Sequence, residues 1–391
     1  MIYLDHAAAT PVSEKAYLAM RPYFMDQFFN PSAPYLPAKH VRDNYEFRKD
    51  EIAHAIGAKG VDLIITSGAT ESINLAFTAI SKDIVKPEIL ILSTEHASVR
   101  AAASHVASEL NGKLIELKVK KSGVIDLNDL KRNITKNTIF ISVSLANNEL
   151  GTIQPLAEIA DLIKKERENR LKSKNDLPIF LHSDASQALN LLDISVSRLG
   201  VDLLTINSAK LGGPKGVGAL YVSHDVKLKP LIYGGGQEAG LRSGTENVPG
   251  VVGFAEAAKE AKEHITSNRK KYQKQSEILR NELKNCQVEP LFLGDKKRQL
   301  ANFVPVSFPG IDAERIIYLL EDKQVYLSTG AACSANKGTV SHVLKAINLS
   351  DKEIAGSLRI SLGVLNTDKN VKEAGKLIVQ AVEQEYKRCQ K

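Results

Sequence analysis

The chain has no tryptophan, only three cysteines and three methionines, and aromatic residues make up 6% of its 391 positions. Cys286, Cys333 and Cys389 are an odd count and lie too far apart for a Cys-x-x-Cys site, which argues against a disulfide framework and a thiolate metal centre. At most one of them is left for chemistry, and no metal site is expected. An apolar run of membrane-spanning length is also missing, as is a basic and apolar leader, since the chain opens directly with Met1-Ile-Tyr-Leu-Asp5. These absences predict a cytoplasmic protein with no membrane contact. There is no internal repeat or low-complexity tract, and the glycine-rich stretches at 212–218 and 234–236 are too short to be linkers.

What is present is ordinary globular material, 43% hydrophobic and 25% charged, long enough for one large core and one smaller one. The formal charge of +7 arises from 52 basic against 45 acidic residues. Much of it sits in mixed runs such as Lys164-Lys165-Glu166-Arg167, whose helical spacing marks a solvated face. Without an aromatic-rich basic stripe, this surplus gives no reason to expect direct nucleic-acid binding.

Five short apolar runs, at 62–65, 88–92, 138–143, 178–181 and 201–206, fit strands buried on both faces. Each is followed by polar or glycine residues: Thr66-Ser-Gly68, Ser93-Thr-Glu-His96, Asn147-Asn-Glu149, His182-Ser-Asp184 and Asn207-Ser-Ala-Lys210. Ligands of an open α/β sheet gather at the carboxyl ends of its strands, so one site can collect all of these. A long charged helix from Val251 to about Asn285 reads as a connector. Beyond it a strand over 302–308, a helix from Asp312, the 328–334 stretch and a last helix from Thr367 form a smaller α+β unit.

Several residues there have chemistry to offer. In Ser67-Gly-Ala-Thr-Glu71 the small residues let backbone N–H groups approach an anion at a helix N-terminus; Thr70 either adds a hydroxyl or merely caps the helix. Lys210, between a strand and a glycine-rich turn, is either a solvated lysine or an amine that forms a Schiff base with an aldehyde cofactor. Asp184 favours the second reading, because a carboxylate at the end of an apolar run needs a positive partner, and the ring nitrogen of pyridoxal 5'-phosphate (PLP) is one. Its alternative is to cap the backbone of 185–187. Cys333, within Ser328-Thr-Gly-Ala-Ala-Cys-Ser334, is a nucleophilic thiol in a small-residue loop or a small buried hydrophobe. Arg359 clamps a carboxylate or points to water.

In order and over nearly the whole chain, these segments resemble the NifS/IscS-type cysteine desulfurases of the class V, fold-type I PLP enzymes. The resemblance rests on Tyr3-Leu-Asp-His-Ala-Ala8, Asn30-Pro-Ser32, Thr66-Ser-Gly-Ala-Thr-Glu71, Thr94-Glu-His96, Asn147-Asn-Glu-Leu-Gly151, His182-Ser-Asp-Ala-Ser-Gln187, Lys210 with Gly213-Pro-Lys-Gly216, Arg242-Ser-Gly-Thr245, Cys333 and Arg359. It implies an α/β fold with a large PLP-binding domain over 12–258, built on a mainly parallel seven-stranded sheet between helices. A smaller α+β domain would comprise 1–11 and 259–391 and carry the Cys333 loop.

By the same resemblance Lys210 would hold PLP, Asp184 would pair with its ring nitrogen, Gln187 with its phenolic oxygen, and His96 would stack on the ring and move protons. Asn148 would sit near the phenolic oxygen or substrate. Ala69, Thr70 and a neighbouring subunit's Thr245 would hold the phosphate of a shared site in a homodimer. Arg359 would take the carboxylate of L-cysteine, and Cys333 would carry its sulfur away as a persulfide to an acceptor, an iron–sulfur scaffold or a thiolation protein.

The chain departs from that pattern at Asn207-Ser-Ala209, where Ser-Gly-His is usual, at Leu145, where histidine is common, and at Val364, where arginine is common. These departures bear on cofactor affinity and turnover, with Ser208 or Asn207 expected to compensate at the phosphate. The chain also stops soon after its last helix, where scaffold-engaging members continue, which leaves the acceptor open. Selenocysteine lyase, cysteine-sulfinate or aminotransferase chemistry, and a non-catalytic binding protein, are the alternatives; Cys333 in its loop argues against most of the former.

Overall fold

A computed structural model describes residues 1–80, 83–329 and 340–390, so Cys333 lies outside the described residues. The first strands in chain order are β1 (Ile2–Tyr3), β2 (Leu63–Thr66), β3 (Glu88–Leu92), β4 (Lys113–Leu117), β5 (Thr138–Ser142), β6 (Phe180–Asp184), β7 (Leu203–Asn207) and β8 (Gly218–Val222). The last seven form one sheet of order β2-β8-β7-β6-β5-β3-β4. Neighbours from β4 to β7 are parallel, while β8 runs antiparallel to both β2 and β7.

The five apolar runs all became strands, and the sheet gained two that they do not mark. In β4, Lys113-Leu-Ile-Glu-Leu117, polar residues interrupt the apolar ones because it is an edge strand with only β3 beside it. β8 begins within the glycine-rich stretch, where small residues hide its pattern. Side chains alternate across the sheet. Ile64, Ile89, Ile91 and Leu203 pack on one side with the helices Ala69–Phe77 and Ala97–Glu109. Leu63, Ile65, Leu90, Leu92 and Leu204 pack on the other with the helices Leu156–Lys172 and Val248–Leu283. Burial on both faces is the reason the central strands read as unbroken apolar runs.

The connector is a single helix, Val248–Leu283, whose N-terminus is capped by the Asn247 side chain accepting from Gly250 N–H. It runs unbroken through the expected domain boundary at 258/259. Beyond it β9 (Leu291–Phe292), β10 (Val306–Ser307), β11 (Val325–Tyr326), β12 (Ser328–Thr329) and β13 (Ser357–Arg359) follow. Four of them form an antiparallel sheet of order β12-β13-β10-β9, and β11 pairs in parallel with β1. The strand expected over 302–308 shrinks to Val306–Ser307; Pro305 has no N–H to give to a ladder. The last helix, Asp368–Cys389, opens on a capping box between Thr367 and Asn370 and lies against the connector, with Gly375 admitting Glu282 and Leu279.

No helix among the described residues is long and apolar enough to cross a membrane. The carboxyl ends of β2, β3, β5, β6 and β7 point to the same edge of the sheet; an isolated bridge joins Asp5, after β1, to Ser361, after β13, and Asp5 and Arg359 line one cavity with residues of that edge. That junction is where the site lies.

Candidate active site

A cavity of about 650 Å³ opens at this edge, lined by residues from both units, among them Asp5, Thr70, His96, Asp184, Lys210 and Arg359. Its floor begins with the turn from β2 into the helix Ala69–Phe77. Gly68 has φ 150° and ψ −179°, a conformation open essentially to glycine, and a Cβ on Gly218 would lie 2.8 Å from its Cα. The turn therefore passes tightly over the start of β8 and leaves Ala69 and Thr70 on the cavity wall, where the helix's unpaired first-turn N–H groups lie. The helix is capped at Gly68 without a side-chain bond, so Thr70 is not the cap.

Glu71 anchors this turn. Its carboxylate accepts from Ser67 N–H at 2.7 Å and from Arg242 Nε at 3.1 Å. Burial alone would raise its pKa, but those bonds outweigh burial and hold it below the usual range.

His96 caps the helix Ala97–Glu109, its Nδ1 accepting from Ser98 N–H at 3.2 Å, which leaves Nε2 to carry the proton of the neutral ring. Asp184, at the end of β6, accepts at Oδ1 from Ser186 N–H at 2.9 Å and from its hydroxyl at 2.6 Å. Capping and facing the cavity are thus compatible for Asp184. Gln187 donates from Nε2 to the Ala7 carbonyl at 3.0 Å, which fixes its amide. Asn148 also lines the cavity.

Lys210 ends the 3-10 turn Ser208–Lys210, and its Nζ donates to the Ala8 carbonyl. The N-terminal segment clasps this turn further, since Thr10 donates to the Ala209 carbonyl at 2.9 Å and accepts from Gly212 N–H at 3.0 Å. Asn207 lies on the cavity wall and caps the turn through Ala209 N–H.

Ser208, expected at the phosphate, is not there. The tight turn directs its side chain into the core, fully buried, under Gly213, where a Cβ would stand 2.1 Å from the Ser208 hydroxyl. Leu145 is likewise a core side chain outside this cavity, bonded by its N–H to the Asp184 carbonyl at 2.9 Å, while Ser144 and Ala146 beside it form the wall. Val364 is 64% exposed. Thr245 is exposed and does not line this cavity, and Cys333 lies outside the described residues.

Arg359 does not point to water. It is 3% exposed, and its Nη2 donates to Asp5 Oδ1 at 2.7 Å. Burial raises the Asp5 pKa, while Arg359 and Lys210 pull it back. Asp5 was legible only as part of the Tyr3-Leu-Asp motif, and nothing local in the sequence pairs it with Arg359. Three further groups escaped sequence reading: Ser186, and the buried carboxyls of Glu95 and Glu149 behind His96 and Asn148.

Residues 2–373 match the Aminotransferase class-V family. The chain is 37% identical over 387 residues to the putative cysteine desulfurase IscS 1 of Bacillus subtilis, covering 97% of this chain and 98% of that one. It is 39% identical to cysteine desulfurase IscS 1 of Archaeoglobus fulgidus, covering 95% and 94%. The chain belongs to the IscS/NifS-type cysteine desulfurases of the class-V aminotransferase family. Its fold agrees: a solved NifS-like protein superposes with a TM-score of 0.89 at 30% identity, covering 98% of this chain and 99% of that one. SspA in complex with cysteine superposes with a TM-score of 0.79 at 32% identity, covering 93% and 99%.

Class-V desulfurases are PLP-dependent, and the cavity of this family member fits that group. A Cβ added at Gly68 or Gly216 would meet nothing within 4 Å, so open space lies against the helix N-terminus, a setting suited to an anion. A fixed carboxylate at Asp184, an imidazole at His96 and a lysine at Lys210 line the same space.

Proposed function

We propose that this chain is a PLP-dependent cysteine desulfurase that converts L-cysteine to L-alanine and collects the sulfur on Cys333. The observation that carries the reading is that a single cavity holds Lys210, Asp184, His96, Gln187 and Arg359 together with the Ser67–Thr70 turn. The family relatives and the cysteine-bound SspA structure support the same substrate.

In this reading Ala69 and Thr70 would hold the phosphate, Asp184 would pair with the ring nitrogen, Gln187 and Asn148 would serve the phenolic oxygen, and His96 would stack on the ring. Bound there, PLP supplies an electron sink for the carbanion at the substrate's α-carbon. Arg359 holds the substrate carboxylate, with one edge of its guanidinium already fixed by Asp5. Lys210 would take the α-proton, and His96 would pass protons within the site. The Cys333 thiolate then attacks the substrate sulfur. The new S–S bond forms as the Cβ–S bond breaks, the electron pair stays with Cβ, and protonation of Cβ together with return of a proton to the α-carbon gives alanine.

A thiol nucleophile needs a reducing compartment, which supports a cytoplasmic location. A homodimer is supported by the exposed Thr245 outside its own cavity and by exposed large apolar side chains such as Phe24, Met25, Phe28 and Tyr233. The persulfide passes to an acceptor protein, an iron–sulfur scaffold or a thiolation partner.

The deciding assay is release of alanine from L-cysteine with a thiol reductant present; no alanine from the PLP-loaded protein would overturn the reading. Lys210→Ala is expected to abolish both that release and the visible absorbance gained on adding PLP. Equilibrium sedimentation is expected to read the mass of two chains, and a single-chain mass would remove the shared site.

A further inference from the structure

The loop between β8 and the connector helix carries two consecutive residues other than glycine with positive φ, Glu238 at 46° and Ala239 at 56°. Residues with a Cβ rarely adopt this conformation, so the surroundings must hold it. The Glu238 side chain supplies the hold. Only 5% exposed, it accepts from Lys49 Nζ at 2.8 Å, from Ile65 N–H at 2.8 Å and from the Tyr45 hydroxyl. Tyr45 and Lys49 are buried residues of the helix Leu36–Ala55, and Ile65 lies in β2. Because β2 is an end strand of the sheet, this one carboxylate pins the loop both to a helix and to a strand edge that has no neighbouring strand to take its N–H groups.

Both ends of this pin lead to the cavity. Ile65 is followed by Thr66 and then by the Ser67–Thr70 turn on the cavity wall. Further along the loop, Arg242 donates from Nε to Glu71 Oε1 at 3.1 Å, while the other oxygen of Glu71 accepts from Ser67 N–H at 2.7 Å. Between the pin and Arg242 the loop closes on itself, since Gln237 Oε1 accepts from Gly244 N–H at 2.9 Å. Asn247, where the connector helix begins, donates from Nδ2 to the carbonyl of Gly216, another wall residue, at 3.3 Å. Burying a carboxylate is costly unless donors surround it, and this one has three while lying outside the cavity.

We propose that Glu238 is a positioning residue for the phosphate site: by pinning the loop to β2 and to the helix Leu36–Ala55, it keeps Arg242 on Glu71 and so holds the Ser67–Thr70 turn in its anion-binding conformation. The inference rests on the PLP reading of the same cavity. Glu238 touches neither cofactor nor substrate and acts through Ile65, Arg242 and Glu71.

The test uses the full-length protein with PLP as the probe, and compares Glu238→Ala, Glu238→Gln and Tyr45→Phe with Leu283→Ala, a core change at the far end of the connector helix. Three quantities are read: PLP affinity by absorbance titration, the phosphorus-31 resonance of the bound phosphate, and the melting temperature of the cofactor-free protein. Glu238→Ala is expected to weaken PLP binding about ten-fold, the scale of one buried hydrogen bond, and to shift the phosphate resonance. Glu238→Gln, whose amide oxygen still accepts from Ile65 N–H, is expected to recover most of the affinity. Leu283→Ala is expected to lower the melting temperature while keeping both the affinity and the resonance of the wild type. Should Glu238→Ala not fold, Tyr45→Phe removes a single donor and is expected to weaken PLP binding about three-fold. Wild-type affinity and resonance in the folded Glu238 or Tyr45 variants, or the same changes in Leu283→Ala, would overturn the positioning role. A wild-type protein that gains no visible absorbance with PLP would instead overturn the PLP reading beneath it.

Discussion

Arg359 and Asp5 stand 354 positions apart, and their ion pair forms because β1 pairs with β11 and the following Asp5 bridges to Ser361. The pair leaves a buried guanidinium with one edge fixed and the rest facing the cavity. Arg359→Lys keeps the charge but loses the fork, so KM for L-cysteine is expected to rise about ten-fold or more, with PLP absorbance unchanged. An unaltered KM would show that the carboxylate binds elsewhere. At this scale the sequence was uneven. Lys210, Asp184, His96 and Asn148 could be placed at the sheet edge because each lies in the polar segment after an apolar run, whereas Gln187 came only from the family resemblance. Ser208 was misread because a 3-10 turn, which the Ser-Ala-Lys sequence does not announce, sends its side chain under Gly213.

The element that most constrains the site is the β2 turn into the helix Ala69–Phe77. Gly68 holds a backbone conformation that costs other residues of the order of 1–3 kcal/mol, and it does so above Gly218. Gly68→Ala is therefore expected to weaken PLP binding about ten-fold while leaving the sheet folded, as read by absorbance titration beside far-ultraviolet circular dichroism. Equal affinity would mean that the phosphate does not use this turn. Strands were legible in proportion to their burial: β2, β3, β5, β6 and β7 showed themselves as apolar runs, whereas the edge strand β4 and the glycine-led β8 did not. The connector helix was legible by its stripe, although only the structure showed it crossing the 258/259 boundary unbroken.

Across the whole molecule, the buried ionisable groups set how stability responds to pH. His6 and His182 are pushed down by burial to about 4 and about 3, so their contribution to stability is complete once the pH exceeds the unfolded histidine value. Glu149 and Glu95 go the other way. Their folded pKa values, about 7 and about 8, lie above the ordinary carboxylate range, so the folded state keeps protons that the unfolded chain has lost. Their stabilisation is full below the unfolded pKa and is lost as pH rises through 7 and 8. The melting temperature is expected to fall between about pH 6.5 and 9, and Glu149→Gln is expected to flatten that fall. A wild-type profile flat over this interval would show that both carboxyls are ionised throughout.

Composition and periodicity by themselves determined the class of fold, an open α/β sheet with a smaller α+β unit, and the strand ends at which chemistry could gather. They could do so because burial on two faces imposes a local pattern, and because polar residues at the end of an apolar run need a reason to be there. Tertiary structure alone decided which of those residues share a cavity, that Asp5 holds Arg359, that Ser208 is turned away, and that Ser341 and His342 are tied to Glu149 and Glu95. Apart from the local turn at Ser208, each of those is a contact between distant segments, set by strand order and by how the smaller unit docks on the sheet edge, and no local spacing in the sequence encodes it.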